Sequence, residues 1–437
     1  MASLGTKTSA ADAALLRAIG VRRLTASIIN ITIGAGIFVL PAVVAERLGA
    51  AAPIAYVVCA ALMALIVLCF ASAGSRVSLT GGLYAYVEVA FGPFVGFLAG
   101  VLYWLMASFA VASVASAFAG SVGVLWSPAS AGVGRAAVLA GLFAALAIVN
   151  VRGVSVGARL VEVVTAAKLV PLLVFVLAGV WFVHGEYLVW LGLPSAADVG
   201  RTAIVLIFAF VGVEVALVPS GEIADPPRTV PRALFLALAT TTTLYLLVQG
   251  VAQGLLGPSM STFKAAPLAE AASRVLGAAG RLLVLAGAAV SMFGHVSGDM
   301  LGSPRVLFAF GRDGIFPDAL ARVHPIYRTP HLAIVVHALI VATLAISSSF
   351  TQLAILANVA ALSLYLMCVA ASFELQRRDV RAGGTPFKVP GGPIIPVLAG
   401  SAILWVLAHA TWKELGVEAV VLTIAAIFFV ARKTPSR

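Results

Sequence analysis

The apolar segment VVTAAKLVPLLVF (163–175) carries Lys168 near its middle, and FAFVGVEVAL (208–217) carries Glu214 two residues after Gly212. Ser291, His295 and Asp299 recur every four residues along a third apolar run, so they share one helix face. An ionised side chain at the centre of a bilayer costs roughly 2.5–3.5 kcal/mol on insertion scales, so such groups face a partner or a cavity. A buried lysine can release a proton, or its charge can fill a cation site and make sodium unnecessary. Snorkelling to the inner interface is the structural alternative for Lys168. Glu214 can exchange a proton, hydrogen-bond loosened backbone, or stand as a protonated strut. His295 titrates in a useful range, although a hydrogen-bonded structural role suits it better. Asp299 can contact a substrate amine or pair with Lys168.

Two of the apolar runs are interrupted. NITIGAGIFVLPA (30–42) sets Gly34, Ala35 and Gly36 together at its middle, and each glycine costs a helix interior about 1 kcal/mol relative to alanine. Lipid offers loosened backbone no hydrogen-bonding partner. The second run breaks at Gly212 and loosens again at Pro219 and Gly221. Paired interruptions in corresponding positions mark the binding site of a secondary transporter. Unwinding frees amides at the start of one half-helix, which attract a carboxylate. It also frees carbonyls at the end of the other half, which suit an ammonium or a metal cation. A zwitterionic α-amino acid satisfies both. Close helix packing is the competing reading for Gly34 and Gly36.

These residues need a frame, and composition supplies it. Of 437 residues, 62% are hydrophobic and only 10% charged, against about 25% charged in soluble globular proteins. A polytopic membrane protein follows. Spans of roughly 20 apolar residues are expected at 24–48, 53–75, 94–122, 134–151, 155–182, 202–221, 231–254, 281–303, 331–348, 352–374, 394–412 and 415–431. These are twelve transmembrane helices in an all-α fold. Of the 28 Lys and Arg, twenty fall on one side of this arrangement, seven on the other, and Lys168 inside a span. The positive-inside rule then places both termini in the cytoplasm. The expected organisation is a cytoplasmic segment 1–23, helices one to five over 24–182, helices six to ten over 202–374, two further helices over 394–431, and a cytoplasmic tail 432–437.

The net charge of +11 is spread over many short loops and reads as topology plus attraction to anionic lipid. It does not read as a nucleic-acid interface. Residues 1–23 show no secretory signal pattern. Cys59, Cys69 and Cys368 lie in apolar spans and read as packing residues. His184, His324, His331, His337 and His409 lack metal-ligand spacing, so neither metal nor cofactor is expected. Glu162 reads as paired locally with Arg159. DPPRTVPRA (225–233) reads as a helix start. No Ser/His pair, Asp dyad or metal cluster suggests an enzyme. Small membrane partners and homo-oligomers stay open.

Five stretches together resemble the amino acid–polyamine–organocation superfamily of permeases. They are GAGIFVLPA (34–42), GGLYAYVEVAFGP (81–93), FAFVGVEVALVPSGEIADPPRTVPRA (208–233), PRVLFAFGRDGIFPDALARVHPIYRTP (304–330) and FKVPGGPIIP (387–396). The resemblance implies a LeuT-like fold in which helices one to five and six to ten form inverted repeats. It implies that the amides of Gly34, Ala35, Gly36 and Ile37 take a substrate carboxylate. The carbonyls of Thr32, Phe208 and Val211, beside Gly212, would take the ammonium, and Tyr103 would close the pocket. It also implies that Lys168 stands where sodium-dependent relatives hold their ion. Asp299 departs from the pattern, since several relatives carry an aromatic or neutral side chain there. The expected function is sodium-independent transport of an L-amino acid across the cell membrane, proton-coupled or by exchange, through alternating access. An antiporter for polyamines, cationic amino acids or amines is the alternative.

Overall fold

The computed structural model describes residues 19–77, 82–152, 158–190, 192–214, 217, 223–312, 314–381 and 385–431, with the side chains of 158–167 excepted. Pro219, Gly221, the terminal residues 1–18 and 432–437, and the side chains of Arg159 and Glu162 lie outside that description.

The described residues form fifteen α-helices. They are α1 Val21–Thr32, α2 Gly36–Leu48, α3 Ala52–Arg76, α4 Leu83–Phe91, α5 Pro93–Leu125, α6 Gly132–Arg152, α7 Ala158–Gly179 and α8 Ala196–Leu206. Then come α9 Pro226–Leu256, α10 Pro267–Gly302, α11 Pro304–Arg312, α12 His331–Ser347, α13 Phe350–Arg377, α14 Ile394–Leu407 and α15 Trp412–Ala431. Seven helical stretches among them are long and apolar enough to cross a membrane, and three shorter apolar helices accompany these. The protein is an all-helical, polytopic membrane protein.

Local chemistry explains most boundaries. Prolines open α3, α5, α9 and α10, where the missing N–H would have no helical partner. Ser349 and Gln352 form a reciprocal capping box at the start of α13, with hydrogen bonds of 3.3 and 3.2 Å. The DPPRTVPRA stretch does begin a helix, five residues before the expected seventh span. The expected eighth span is the later part of α10, which kinks at Gly277, where φ is 60°. Two short helices, α4 and α11, of nine residues each, are too short to span a bilayer.

In the packing, α13 lies along α5 and α3, α9 along α3 and α1, and α10 along α7 and α5. Contacts at each end place the loops. At one end Arg47 donates to the Arg201 carbonyl at 3.0 Å, and Lys264 pairs with Glu46 at 2.7 Å. At the end of α3, Arg76 donates to the Val380 carbonyl at 3.1 Å and faces Asp379 at 3.5 Å. The Arg381 guanidinium hydrogen-bonded to Asp379 holds that carboxyl below its usual range, so the contact stays ionised at neutral pH. The segment before α1 is tied to the segment before α9 by the Ala224 amide donating to the Ile19 carbonyl at 3.0 Å.

Candidate substrate site

Both interruptions are real breaks. The first helix stops at Thr32, residues 33–35 are bends, and a new helix starts at Gly36. The second stops at Leu206, makes a 3-10 turn over Ile207–Ala209, and runs as turns through Glu214. Gly212 holds φ at 121°, in the region open to glycine at little cost.

The breaks touch each other. A Cβ built on Gly36 would lie 2.9 Å from the Cα of Ala209, and one on Gly212 would lie 2.9 Å from the Cγ2 of Ile31. Tyr245, from α9, bridges them: its hydroxyl lies 3.1 Å from the Thr32 carbonyl and 2.7 Å from the Ala209 carbonyl. One proton thus serves the ends of both half-helices. Tyr245→Phe should lower the initial uptake rate about tenfold. It should cost roughly 1–3 kcal/mol in stability, because a buried acceptor is left unpaired. Uptake into proteoliposomes and thermal unfolding in detergent read the two effects.

The two faces of the first break differ in hydrogen bonding. Residues 32–37 are all buried. Phe38 and Val39 find their acceptor at the Ala35 carbonyl, at 3.0 and 3.2 Å, and Gly34 donates to the Thr32 carbonyl at 2.9 Å. The amides of Ala35, Gly36 and Ile37 have no acceptor among the described residues. Three buried donors at a helix start are chemistry that attracts an anion. At the other break, the carbonyls of Phe208 and Val211 receive no donor among the described residues. The Gly34 amide, spent on Thr32, differs from the expectation for it, and so does the Thr32 carbonyl. It already accepts from Gly34 and Tyr245, which uses both of its lone pairs.

Lys168 is buried, 4% exposed, and is not snorkelling. Its ammonium donates to the carbonyls of Asn30 and Ile33, the latter at 3.0 Å. A cation thus caps the carbonyl end of α1, where the helix dipole is negative. Glu214 hydrogen-bonds the loosened backbone, as one of its readings held. Its Oε2 accepts from the Gly212 amide at 3.0 Å and from the Tyr365 hydroxyl at 2.6 Å, while Oε1 is buried with no partner among the described residues.

One member of the stripe on α10 reaches the first break. A Cβ on Gly34 would lie 3.7 Å from His295 Nδ1, so His295 abuts the break. Asp299 is one turn further on. It accepts from Ser303 at 2.6 Å and lies 3.3 Å from His337 Nε2. Of its two sequence readings, pairing with Lys168 is not what the structure holds; His337 is the partner. Tyr103 lies within electrostatic reach of Glu214 and Asp299. Phe208 packs edge-on to Phe350, with centroids 5.6 Å apart.

Sequence reasoning missed Tyr245, Tyr365, His337 and Asn358. Asn358 donates to the carbonyls of Ile204 and Val205 at 2.8 and 3.2 Å and so caps α8. Each is a polar side chain in an apolar run, which was the available signal.

The sequence profile of the amino acid permease family matches residues 19–433. The chain belongs to this family, within the amino acid–polyamine–organocation superfamily, and its relatives are transporters, not enzymes. It is 27% identical to the serine/threonine exchanger SteT of Bacillus subtilis, over 91% of each chain. It is 27% identical to the methylthioribose transporter of the same organism, over 96% of this chain and 94% of that one. It is 26% identical to the branched-chain amino acid permease BcaP, also of Bacillus subtilis, over 92% and 90% respectively.

Proposed function

We infer that this permease carries an L-amino acid across the cell membrane by alternating access. The observation that carries the reading is the pair of touching, buried breaks, where the amides of Ala35–Ile37 and the carbonyls of Phe208 and Val211 have no partner among the described residues. A carboxylate sits at the first set and an ammonium at the second. The names of two relatives, an exchanger of serine and threonine and a carrier of branched-chain amino acids, support the same substrate class.

In this reading the chain crosses the membrane twelve times, with helices one to five and six to ten as inverted repeats and both termini in the cytoplasm. Lys168 supplies the positive charge that a sodium ion would otherwise bring to the α1 carbonyls, so transport is sodium-independent. Coupling is then to protons or by exchange, with Lys168, Glu214 and His295 as the groups that can take part. Tyr103 and Phe208 close over the ligand.

Purified protein in liposomes tests the assignment. Radiolabelled L-serine, L-threonine and L-leucine are offered with an imposed pH gradient, or with the same amino acid loaded inside. Saturable uptake that does not change when sodium replaces potassium is the expected result. Absence of uptake for every amino acid in a broad panel would defeat the assignment. A requirement for sodium would defeat the role given to Lys168.

A further inference from the structure

Asp299 raises a charge problem that the structure answers in an unexpected way. It stands on the α10 face that meets the first break, one turn from His295. A ligand held by its carboxylate and ammonium at the breaks would project its side chain along this face. A bare carboxylate there would select cationic side chains.

The carboxylate is not bare. His337, from α12, is completely buried, whereas the Asp299 side chain keeps 14% exposure. The His337 Nε2 lies 3.3 Å from Oδ2, and the Ser303 hydroxyl donates to Oδ1 at 2.6 Å. A carboxylate oxygen accepts, and the imidazole tautomer that carries its proton on Nε2 donates to it. Both oxygens are thereby engaged. The Trp104 ring packs beside the imidazole, with centroids 6.2 Å apart and planes tilted by 59°. On the other side, Lys168 and His295 lie within electrostatic reach of each other, and His295 within reach of Asp299. The ammonium of Lys168 repels a second cation.

We propose that His337 masks Asp299 and so restricts the side-chain end of the site to uncharged amino acids. The proposal rests on the permease reading above and adds the substrate's charge class to it. His337 acts through Asp299 and is a positioning residue. Lysine, arginine and diamines are excluded because their charge would meet an occupied carboxylate and an opposing ammonium.

The test uses the full-length protein in liposomes, with radiolabelled L-serine and L-leucine as probes and L-lysine and putrescine as competitors. Wild type should take up a neutral probe without inhibition by either amine. In His337→Phe, which has no donor, the carboxylate is released on one oxygen, and inhibition by lysine should appear, with half-inhibition within about tenfold of the neutral probe's own half-saturation. Adding Asp299→Asn to that variant should remove the new inhibition, which a merely structural histidine would not predict. Ser303→Ala releases the other oxygen and should shift lysine inhibition in the same direction by a smaller factor. It keeps the test decisive should His337→Phe fail to fold. Neutral uptake retained by either folded variant without new lysine inhibition would overturn the proposal alone. Equally, lysine uptake by wild type would overturn it. Wild-type uptake of no amino acid at all would overturn the permease reading and this proposal with it.

Discussion

Gly36→Ala is expected to reduce uptake by about a hundredfold, the loss that a displacement near 1 Å can produce at a positioned site. The added methyl would lie 2.9 Å from the Cα, 3.1 Å from the Cβ and 3.4 Å from the N of Ala209. Two of those three atoms are backbone, so no rotamer change can make room. The first break must then move off the second, taking the amides of Gly36 and Ile37 with it. Overpacking of this kind costs typically about 1–3 kcal/mol, which a large helical bundle can absorb. The variant should therefore remain monodisperse in detergent while losing transport. Gly120→Ala is the control, because a Cβ there meets nothing within 4 Å. It should transport as wild type does. Wild-type uptake by Gly36→Ala would mean that the close approach of the breaks is irrelevant to the ligand.

Lys168→Ala is expected to be nearly as damaging, for an electrostatic reason. The ammonium is the donor to the Asn30 and Ile33 carbonyls, and alanine leaves both without it. A buried acceptor deprived of its partner costs about 1–3 kcal/mol, and here the loss falls on the last turn of α1. That turn also holds the Thr32 carbonyl, which Tyr245 ties to Ala209. Loosening it should decouple the two breaks and lower uptake by roughly tenfold to a hundredfold, in line with misplacement effects at positioned sites. Lys168→Arg should not restore transport, since a planar guanidinium cannot reproduce a compact ammonium between converging carbonyls. Uptake measured with and without an inward pH gradient reads the coupling. Proton dependence in Lys168→Ala equal to that of wild type would remove Lys168 from the coupling role.

The placement of the breaks was legible because it is local. Glycine cost and lipid's lack of hydrogen bonds act within a few residues of Gly34, Gly36 and Gly212, so three glycines inside apolar runs already marked where backbone must unwind. The stripe at Ser291, His295 and Asp299 was legible for the same reason, since spacing by four puts residues on one face whatever they meet. The nature of what they meet was not legible. Asp299 had one obvious opposite charge within the membrane, Lys168, and the structure gave that lysine to carbonyls instead.

By itself, then, the sequence determined an all-helical membrane protein, two interrupted segments, and an unusual set of ionisable groups at mid-span. Those follow from hydropathy, helix period and the price of glycine, which depend on neighbours along the chain. Tertiary structure alone decided that the breaks meet at Gly36 and Ala209, that Tyr245 serves both, and that His337 covers Asp299. Each of these joins residues from different helices, tens to more than two hundred positions apart. A buried polar group takes whichever partner packing brings within hydrogen-bond reach, and that choice is set by how the helices stack, which no local pattern encodes.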